Sequence, residues 1–134
     1  MTEPELQHAI RMISFLVNFV DFSVKNPFDS NIPEGLEVNI AYSNLFNEKD
    51  TTHFTVNLEL EIKSPDSTFM LQVKSMALFQ TQSPIDAAFK ESPFVSVNAP
   101  AIAFPFLRSF ITTLTSNAGL KPLILPAFNF NQSQ

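Results

Sequence analysis

Few residues of this 134-residue chain could carry out catalysis. The histidines are His8 and His53, and His53 follows Asp50 in a polar stretch, where a solvated histidine is far commoner than a general base. Glu59 and Glu61 are two residues apart, a spacing that a paired-carboxylate mechanism can use. The same spacing arises whenever two carboxylates lie on the solvent face of a strand, so it indicates catalysis only weakly.

The chain lacks the residues that thiol chemistry, transition-metal binding and a glycine-rich phosphate loop require. The chain has no cysteine, which excludes disulfides, thiolate metal ligands and a cysteine nucleophile. Histidine and acidic residues do not cluster at transition-metal spacing. The two glycines, Gly35 and Gly119, cannot form a glycine-rich phosphate loop. We therefore expect no enzymatic activity, no cofactor and no metal site.

The composition is unusual in its 15 phenylalanines, which accompany one tyrosine and no tryptophan. Each phenylalanine buries roughly 150–250 Å² when it is enclosed. A core of this size does not easily hold all of them, so some rings are expected at an interface or in an open groove. For any single ring, a place in the core is the simpler alternative. The excess favours a protein that binds other polypeptides.

Charge and hydropathy narrow the choice of partner and location. Thirteen acidic and eight basic residues give a net charge of −5, which opposes binding to nucleic acid phosphates. The apolar stretch from Ile13 to Val20 is too short to cross a bilayer. The first five residues are acidic, unlike the start of a signal peptide. We expect a cytoplasmic protein that binds no nucleic acid and does not insert into membranes.

Alternation of apolar and polar residues predicts four strands. They are expected over about 11–25, 36–43, 54–63 and 69–81, with a turn at 64–67 that joins the last two into a hairpin. Helical spacing in the first 25 residues is the alternative for the first strand, with Thr2 and Glu5 resembling a capping box. Residues 47–52 are expected to form a polar loop.

Helical signals follow the fourth strand. Ser83 and Pro84 predict the N-cap and first position of a short helix that ends before Pro93. A longer helix is predicted over about 101–117, with Pro105 in its first turn or two.

Ala118 and Gly119 supply the stop signal of the longer helix, and the proline-containing tail over 120–130 should be irregular. Strands followed by helices predict an α+β fold, a four-stranded antiparallel sheet with two helices packed on one face. Residues 1–134 are expected to form a single domain.

One block of the sequence resembles a known family. Pro100, Phe104, Pro105, Phe106 and Arg108 follow the order Pro-x-x-x-Phe-Pro-aromatic-x-Arg that is found in SecB chaperones, and the similarity runs in a consistent order over residues 11–130. Near the end, Pro126, Asn129 and Phe130 resemble the family's Pro-x-Asn-Phe segment with one additional residue.

The resemblance implies an ATP-independent holdase linked to protein export, a homotetramer built as a dimer of dimers that holds unfolded or precursor polypeptides in grooves lined by apolar and aromatic side chains. From strand phase and this resemblance, we expect client contacts at five positions, and a structural role for Arg108. The five positions are Met76, Leu78, Phe94, Phe104 and Phe106.

Some family features are absent from this sequence. The acidic positions that dock the export ATPase SecA in the family correspond here to Asp21, Lys25 and Gln72, so Asp21 alone keeps its charge. A Gly-Gly pair of the fourth strand is replaced by Met76 and Ala77. Docking on SecA is therefore uncertain. Two alternatives remain, a dedicated chaperone of a toxin–antitoxin pair and a structural or adaptor module on the same fold.

Overall fold

Four antiparallel strands form one sheet in the computed structural model, which describes residues 9–26 and 28–130. The strands are β1 (Ile10–Val24), β2 (Glu37–Asn47), β3 (Asp50–Lys63) and β4 (Phe69–Thr81). Their order across the sheet is β1-β4-β3-β2. Three successive strands are joined by hairpins and β1 lies beside the last of them, which is a Greek-key arrangement. The predicted strands are confirmed, whereas His8 and the Thr2–Glu5 lead-in lie outside the described residues.

The β2–β3 connection is shorter than the predicted polar loop. Only Glu48 and Lys49 form the turn, and the ladder extends to Asn47 and Asp50. The Asn47 Oδ1 accepts a hydrogen bond from the Lys49 N–H at 3.0 Å, and the Asp50 Oδ1 accepts one from the Thr52 N–H at 3.2 Å. The polar side chains that resemble a loop in the sequence thus close a tight hairpin.

One face of the sheet carries the core, because alternate side chains of the central strands point to the same side. We call it the core face, and the opposite side the outer face. The residues that alternation assigned to the core in the two central strands are all buried: Phe54, Val56, Leu58, Leu60 and Ile62 of β3, and Phe69, Leu71, Val73, Ala77 and Phe79 of β4.

A short helix, α1 (Ala87–Lys90), follows β4. Its N-cap is Asp86, whose Oδ1 accepts a hydrogen bond from the Phe89 N–H at 2.7 Å, so the N-cap predicted at Ser83 is wrong. Ser83 lies in a bend before the helix, and the Ile85 N–H donates to the Thr51 carbonyl at 2.6 Å. The helix thus uses the Asp86 carboxylate, three residues before Phe89, as its N-cap acceptor instead of the Ser83 hydroxyl.

The long helix begins earlier than predicted. Pro93 precedes a π-helical turn, Phe94–Asn98, which continues into α2 (Ala99–Asn117). Pro105 therefore lies in the helix interior instead of the first turns, where it cannot donate a hydrogen bond to the carbonyl four residues earlier.

The predicted stop of α2 is confirmed. Gly119 has a φ of 92°, and its N–H donates to the Ser116 carbonyl at 3.1 Å, while the Leu120 N–H donates to Thr115 at 3.0 Å. This pair of bonds is a Schellman motif, which needs a residue that tolerates a left-handed conformation.

Length and composition alone would allow the helical segment Phe94–Asn117 to cross a membrane, with a mean hydropathy of 1.4. Within the fold, Ala103, Leu107 and Ile111 of this segment are fully buried in the core. A core helix of a folded domain passes the same length and hydropathy test, so the test is weak evidence for a membrane span.

The irregular tail returns along α2. The Leu123 N–H donates to the Thr115 Oγ1 at 2.9 Å, and the Thr112 Oγ1 donates to the Leu123 carbonyl at 2.8 Å. Leu120, Leu125 and Phe130 are buried. Two threonine hydroxyls thus hold the tail where a strand ladder is impossible.

Candidate functional site

Ring-to-ring contacts gather phenylalanines from distant parts of the chain at the hairpin end of β2. Phe46 stacks on Phe54 at 5.7 Å between ring centroids, Phe54 contacts Phe79 at 5.3 Å and Phe89 at 5.6 Å, and Phe89 stacks on Phe94 at 6.1 Å. We call these five residues the first aromatic cluster. Phe46 and Phe94 are only partly buried, so the cluster reaches the surface at these two rings.

A second aromatic cluster joins the middle of β2 to the start of α2 and the tail. The Tyr42 ring contacts Phe130 at 5.3 Å, Phe104 lies 5.9 Å from Phe130 and 6.2 Å from Phe128, and Phe128 lies 5.0 Å from Phe130. Phe104 and Phe130 are buried, whereas Phe128 is 40% exposed. This cluster therefore has a buried base and one open ring.

Strand β2 connects the two clusters. Tyr42 and Phe46 lie on the core face of this edge strand, opposite Leu58 and Phe54 of β3, and Asn44 lies between them. We call Tyr42, Asn44 and Phe46, together with the open rings Phe94 and Phe128, the β2 strip. It combines partly exposed aromatic rings with a sheet edge, which is the chemistry that an extended apolar chain can use.

The five predicted client-contact residues occupy three separate places. Phe94 and Phe104 belong to the first and second clusters, and Phe104 is only 6% exposed. Phe106 is 50% exposed and lies 5.8 Å from Phe15 of β1, at the opposite edge of the sheet from β2. Met76 and Leu78 lie on the outer face of β4. Within one chain, these five residues do not share one surface.

Sequence reasoning missed Phe128, Tyr42 and Phe46 as surface aromatics. Phe128 was part of the proline-containing tail, and its position became apparent only through its contacts with Phe104 and Phe130. Tyr42 was assigned to a strand face, but alternation does not reveal that the strand lies at an edge.

The outer face combines apolar and acidic side chains. Leu16 pairs with Met76, and the Lys74 Nζ lies 5.2 Å from the Phe19 ring centroid. In the next row of the sheet, Asp21 and Glu61 both flank Gln72. Glu61 therefore adds a second carboxylate to the row of Asp21, on the far side of Gln72, and comparison of sequence positions alone did not reveal it.

The His53 site has the geometry of a solvated hairpin. The His53 Nδ1 lies 3.0 Å from the Asp50 Oδ1 and 3.2 Å from the Thr52 Oγ1. The hydrogen bond with His53, followed by the one from the Thr52 N–H, lowers the pKa of Asp50 below its ordinary value of 3.8. Both contacts use the same ring nitrogen, whereas a Ser-His-Asp-type relay needs the carboxylate and the hydroxyl on different nitrogens.

Glu59 and Glu61 are exposed on the outer face, where they pair in register with Lys74 and Gln72. Within residues 9–26 and 28–130, no group of three or more histidine or acidic side chains is arranged to hold a metal ion. These placements offer no arrangement for general acid–base catalysis.

The fold defines the chain as an α+β domain with a Greek-key sheet whose helices share one face. A family model described as preprotein translocase subunit SecB matches residues 7–133, and the chain belongs to this SecB family, whose members are chaperones linked to protein export.

Two relatives align with most of the chain. Protein-export protein SecB of Magnetococcus marinus is 31% identical over 121 residues, which cover 82% of this chain and 73% of that protein. An uncharacterized protein of Methanocaldococcus jannaschii is 27% identical over 128 residues, covering 90% of this chain and 79% of that protein.

A solved structure shares the fold. The SecB-like chaperone of Mycobacterium tuberculosis, determined in complex with a ChAD peptide from the HigA1 antitoxin, superimposes with a TM-score of 0.69 at 13% identity, covering 90% of this chain and 88% of that one. The predicted fold class and the resemblance to SecB are both confirmed.

Proposed function

We propose that this chain is a single-domain, ATP-independent holdase of the cytoplasm, linked to protein export, that holds unfolded polypeptides on the β2 strip. The observation that carries the proposal is the placement of partly exposed aromatic rings along an edge strand of the described sheet. Four rings of the strip are partly or largely exposed and can contact an apolar chain: Tyr42, Phe46, Phe94 and Phe128. Family membership supports a chaperone, and the net charge of −5 favours basic client segments.

The expected affinity of one strip is low. Burying one phenylalanine contributes roughly 1.5–3 kcal/mol, and three anchors give about 5–9 kcal/mol. Association costs on the order of 4–15 kcal/mol in lost freedom. Useful affinity therefore requires that several strips bind one long client at once, which multiplies the effective concentration of each site.

This requirement favours an assembly of several chains, and β1 is the surface that we propose for it. Exposed apolar side chains follow this edge strand, with Ile13 at 46%, Leu16 at 57% and Val20 at 41%. Leu16 lies on the outer face and Val20 on the core face, so this edge strand exposes apolar side chains on both faces, which favours association. The homotetramer, a dimer of dimers, that the family resemblance implies would bring four β2 strips together.

Docking on SecA would use the outer face. Asp21 remains the candidate from the sequence, and Glu61 lies two strands away in the same row. Two carboxylates on one face favour a basic partner. Substituting both by asparagine or glutamine should weaken binding to purified SecA without changing client binding.

A dedicated chaperone of a toxin–antitoxin pair is the second candidate. It is favoured by the structural likeness to a SecB-like chaperone that was solved with an antitoxin peptide. A general holdase should bind several unrelated unfolded chains with similar affinity, whereas a dedicated chaperone should bind one partner far more tightly.

The proposal is tested with reduced, carboxymethylated α-lactalbumin, which stays unfolded, by fluorescence anisotropy without ATP. The wild-type protein should bind it, and Phe128→Ala should weaken binding about five- to tenfold because an exposed anchor is lost. Phe19→Ala is the matched control, since Phe19 is 42% exposed on the outer face and Phe128 is 40% exposed. Equal effects of the two substitutions would refute the β2 strip, and no binding by the wild-type protein would favour an adaptor module.

A further inference from the structure

Strand β2 lies at one edge of the described sheet. Among the described residues, β3 alone pairs with it, over the 11 residues Glu37–Asn47. The pairing is regular until a shift between Phe46 and Asn47 at the hairpin tip, and the strand contains no proline. Natural edge strands usually carry bulges, prolines or charges that prevent a further strand from pairing. Apart from Glu37 at its start and the shift at its tip, β2 lacks these devices.

Asn44 interrupts the apolar side of this strand. The other core-facing residues of β2 are Val38, Ile40, Tyr42 and Phe46, and Asn44 lies opposite the fully buried Val56. The Asn44 Oδ1 is buried and has no hydrogen-bond partner among residues 9–26 and 28–130.

A buried acceptor without a partner destabilises the protein that contains it. Asn44 as a whole is only partly buried. Its side chain is therefore partly accessible to a group that lies beside β2.

Building on the proposed function, we propose that a client segment adds to the β2 edge as an extended strand, and that Asn44 selects segments with a hydrogen-bonding side chain between two apolar ones. Residues two apart on a strand are about 6.5–7 Å apart, in the client as in β2. A strand laid beside β2 thus places three side chains of one face opposite Tyr42, Asn44 and Phe46.

The preferred client pattern follows from these three neighbours. The positions opposite Tyr42 and Phe46 favour aromatic or large apolar side chains, and the position opposite Asn44 favours serine, threonine, asparagine or glutamine. An apolar side chain opposite Asn44 leaves the amide unsatisfied in an apolar environment, which disfavours such clients. The client class is therefore apolar-x-polar-x-apolar in extended conformation.

Two synthetic peptides test the selection. Lys-Lys-Phe-Ser-Gln-Ser-Phe-Lys-Lys has the preferred pattern, and its partner replaces glutamine by leucine. Wild-type protein should bind the glutamine peptide about tenfold more tightly, as expected for one net hydrogen bond. Asn44→Leu should remove or reverse this preference and raise the Tm, because the unpaired oxygen is gone. A fall in Tm, or an unchanged preference, would overturn the role of Asn44.

A matched control lies on the same strand. Asn39 is on the outer face of β2, where its Nδ2 donates to the Glu37 Oε1 at 3.3 Å, and Asn39→Leu should leave the peptide preference unchanged. If Asn39→Leu changes the preference as Asn44→Leu does, the selection does not come from the core face. If wild type binds unfolded α-lactalbumin in a manner sensitive to Phe128→Ala but shows no peptide preference, the holdase proposal stands and this inference fails.

Backbone methylation tests strand addition separately. Successive residues of an added strand point their N–H groups alternately toward and away from β2. N-methylation along the glutamine peptide should therefore abolish binding at every second position and have little effect at the positions between. A uniform effect along the peptide would show that side chains alone hold the client.

Discussion

The sheet has two edges, β1 and β2, and they differ in both backbone and side chains. β1 is 15 residues long, with register shifts between Met12 and Ser14 and between Val17 and Phe19, whereas β2 pairs regularly almost to its tip. Bulges hinder the addition of a further strand, while exposed apolar side chains favour association. The comparison indicates that β1 suits contact through side chains with a fixed partner and that β2 suits transient pairing with an extended chain.

The largest expected effect concerns the rings of α2 that face the two edges. Phe104, at 6% exposure beside Phe128 and Phe130, belongs to the β2 side, and Phe106 contacts Phe15 of β1 at 50% exposure. Phe104→Ala should lower the free energy of unfolding by about 3–5 kcal/mol because it leaves a cavity.

Phe106→Ala should cost only about 1 kcal/mol, since half of the ring is already in water. Urea unfolding of both variants checks the difference. If Phe106→Ala destabilises as much as Phe104→Ala, then Phe106 belongs to the core and β1 is not an open surface.

The next effect separates assembly from client binding. Val20 and Val38 are core-facing valines of β1 and β2, with 41% and 43% exposure. Val20→Lys should reduce the mass measured by light scattering toward the 15.0 kDa monomer, because a charge enters the proposed association surface. Affinity for unfolded α-lactalbumin should fall about 100-fold because several strips no longer bind one client at once. Affinity for the short glutamine peptide, which occupies a single strip, should stay unchanged.

Val38→Lys provides the matched comparison at the other edge and should leave the mass unchanged. A wild-type protein that is already monomeric, or a loss of mass with Val38→Lys alone, would contradict the assignment of the two edges.

The smallest effect concerns the hairpin tip that closes β2. The pKa of Asp50 is lowered, first by the hydrogen bond with His53, so the folded state favours the ionised carboxylate. This stability is fully present above the ordinary value of 3.8 and is lost as the pH falls through the lower folded value. Asp50→Asn should therefore flatten the dependence of Tm on pH below about 4, and parallel curves for the variant and the wild type would contradict it.

Much of the sheet was predictable because alternation is a local property of the chain. The buried faces of β3 and β4 followed directly from it. Alternation does not determine which helix or tail covers a face, and therefore Met76 and Leu78 were grouped with Phe104, although they lie on opposite faces of the sheet.

The site itself depends on contacts between residues far apart in sequence. The rings of Tyr42 and Phe130 are in contact although the two residues are far apart in sequence, and no local pattern indicates that contact. The unpaired oxygen of Asn44 is likewise invisible in sequence, because an asparagine in a strand is normally read as a solvent-facing residue. The N-cap at Asp86 was missed for a smaller reason, since Ser83 and Asp86 both suit that role.

The strand order also determines when β1 can pair during synthesis of the chain. β1 is made first, but its ladder partner is β4, and the register joins Val24 to Phe69 and Ile10 to Thr81, separations of 69 − 24 = 45 and 81 − 10 = 71 residues. At 5–20 residues per second, β1 waits on the order of 2–15 seconds on the ribosome before it can pair. During that interval the apolar residues of β1 have no partner strand. A protein proposed to hold other unfolded polypeptides is therefore itself incompletely folded and exposed at that stage.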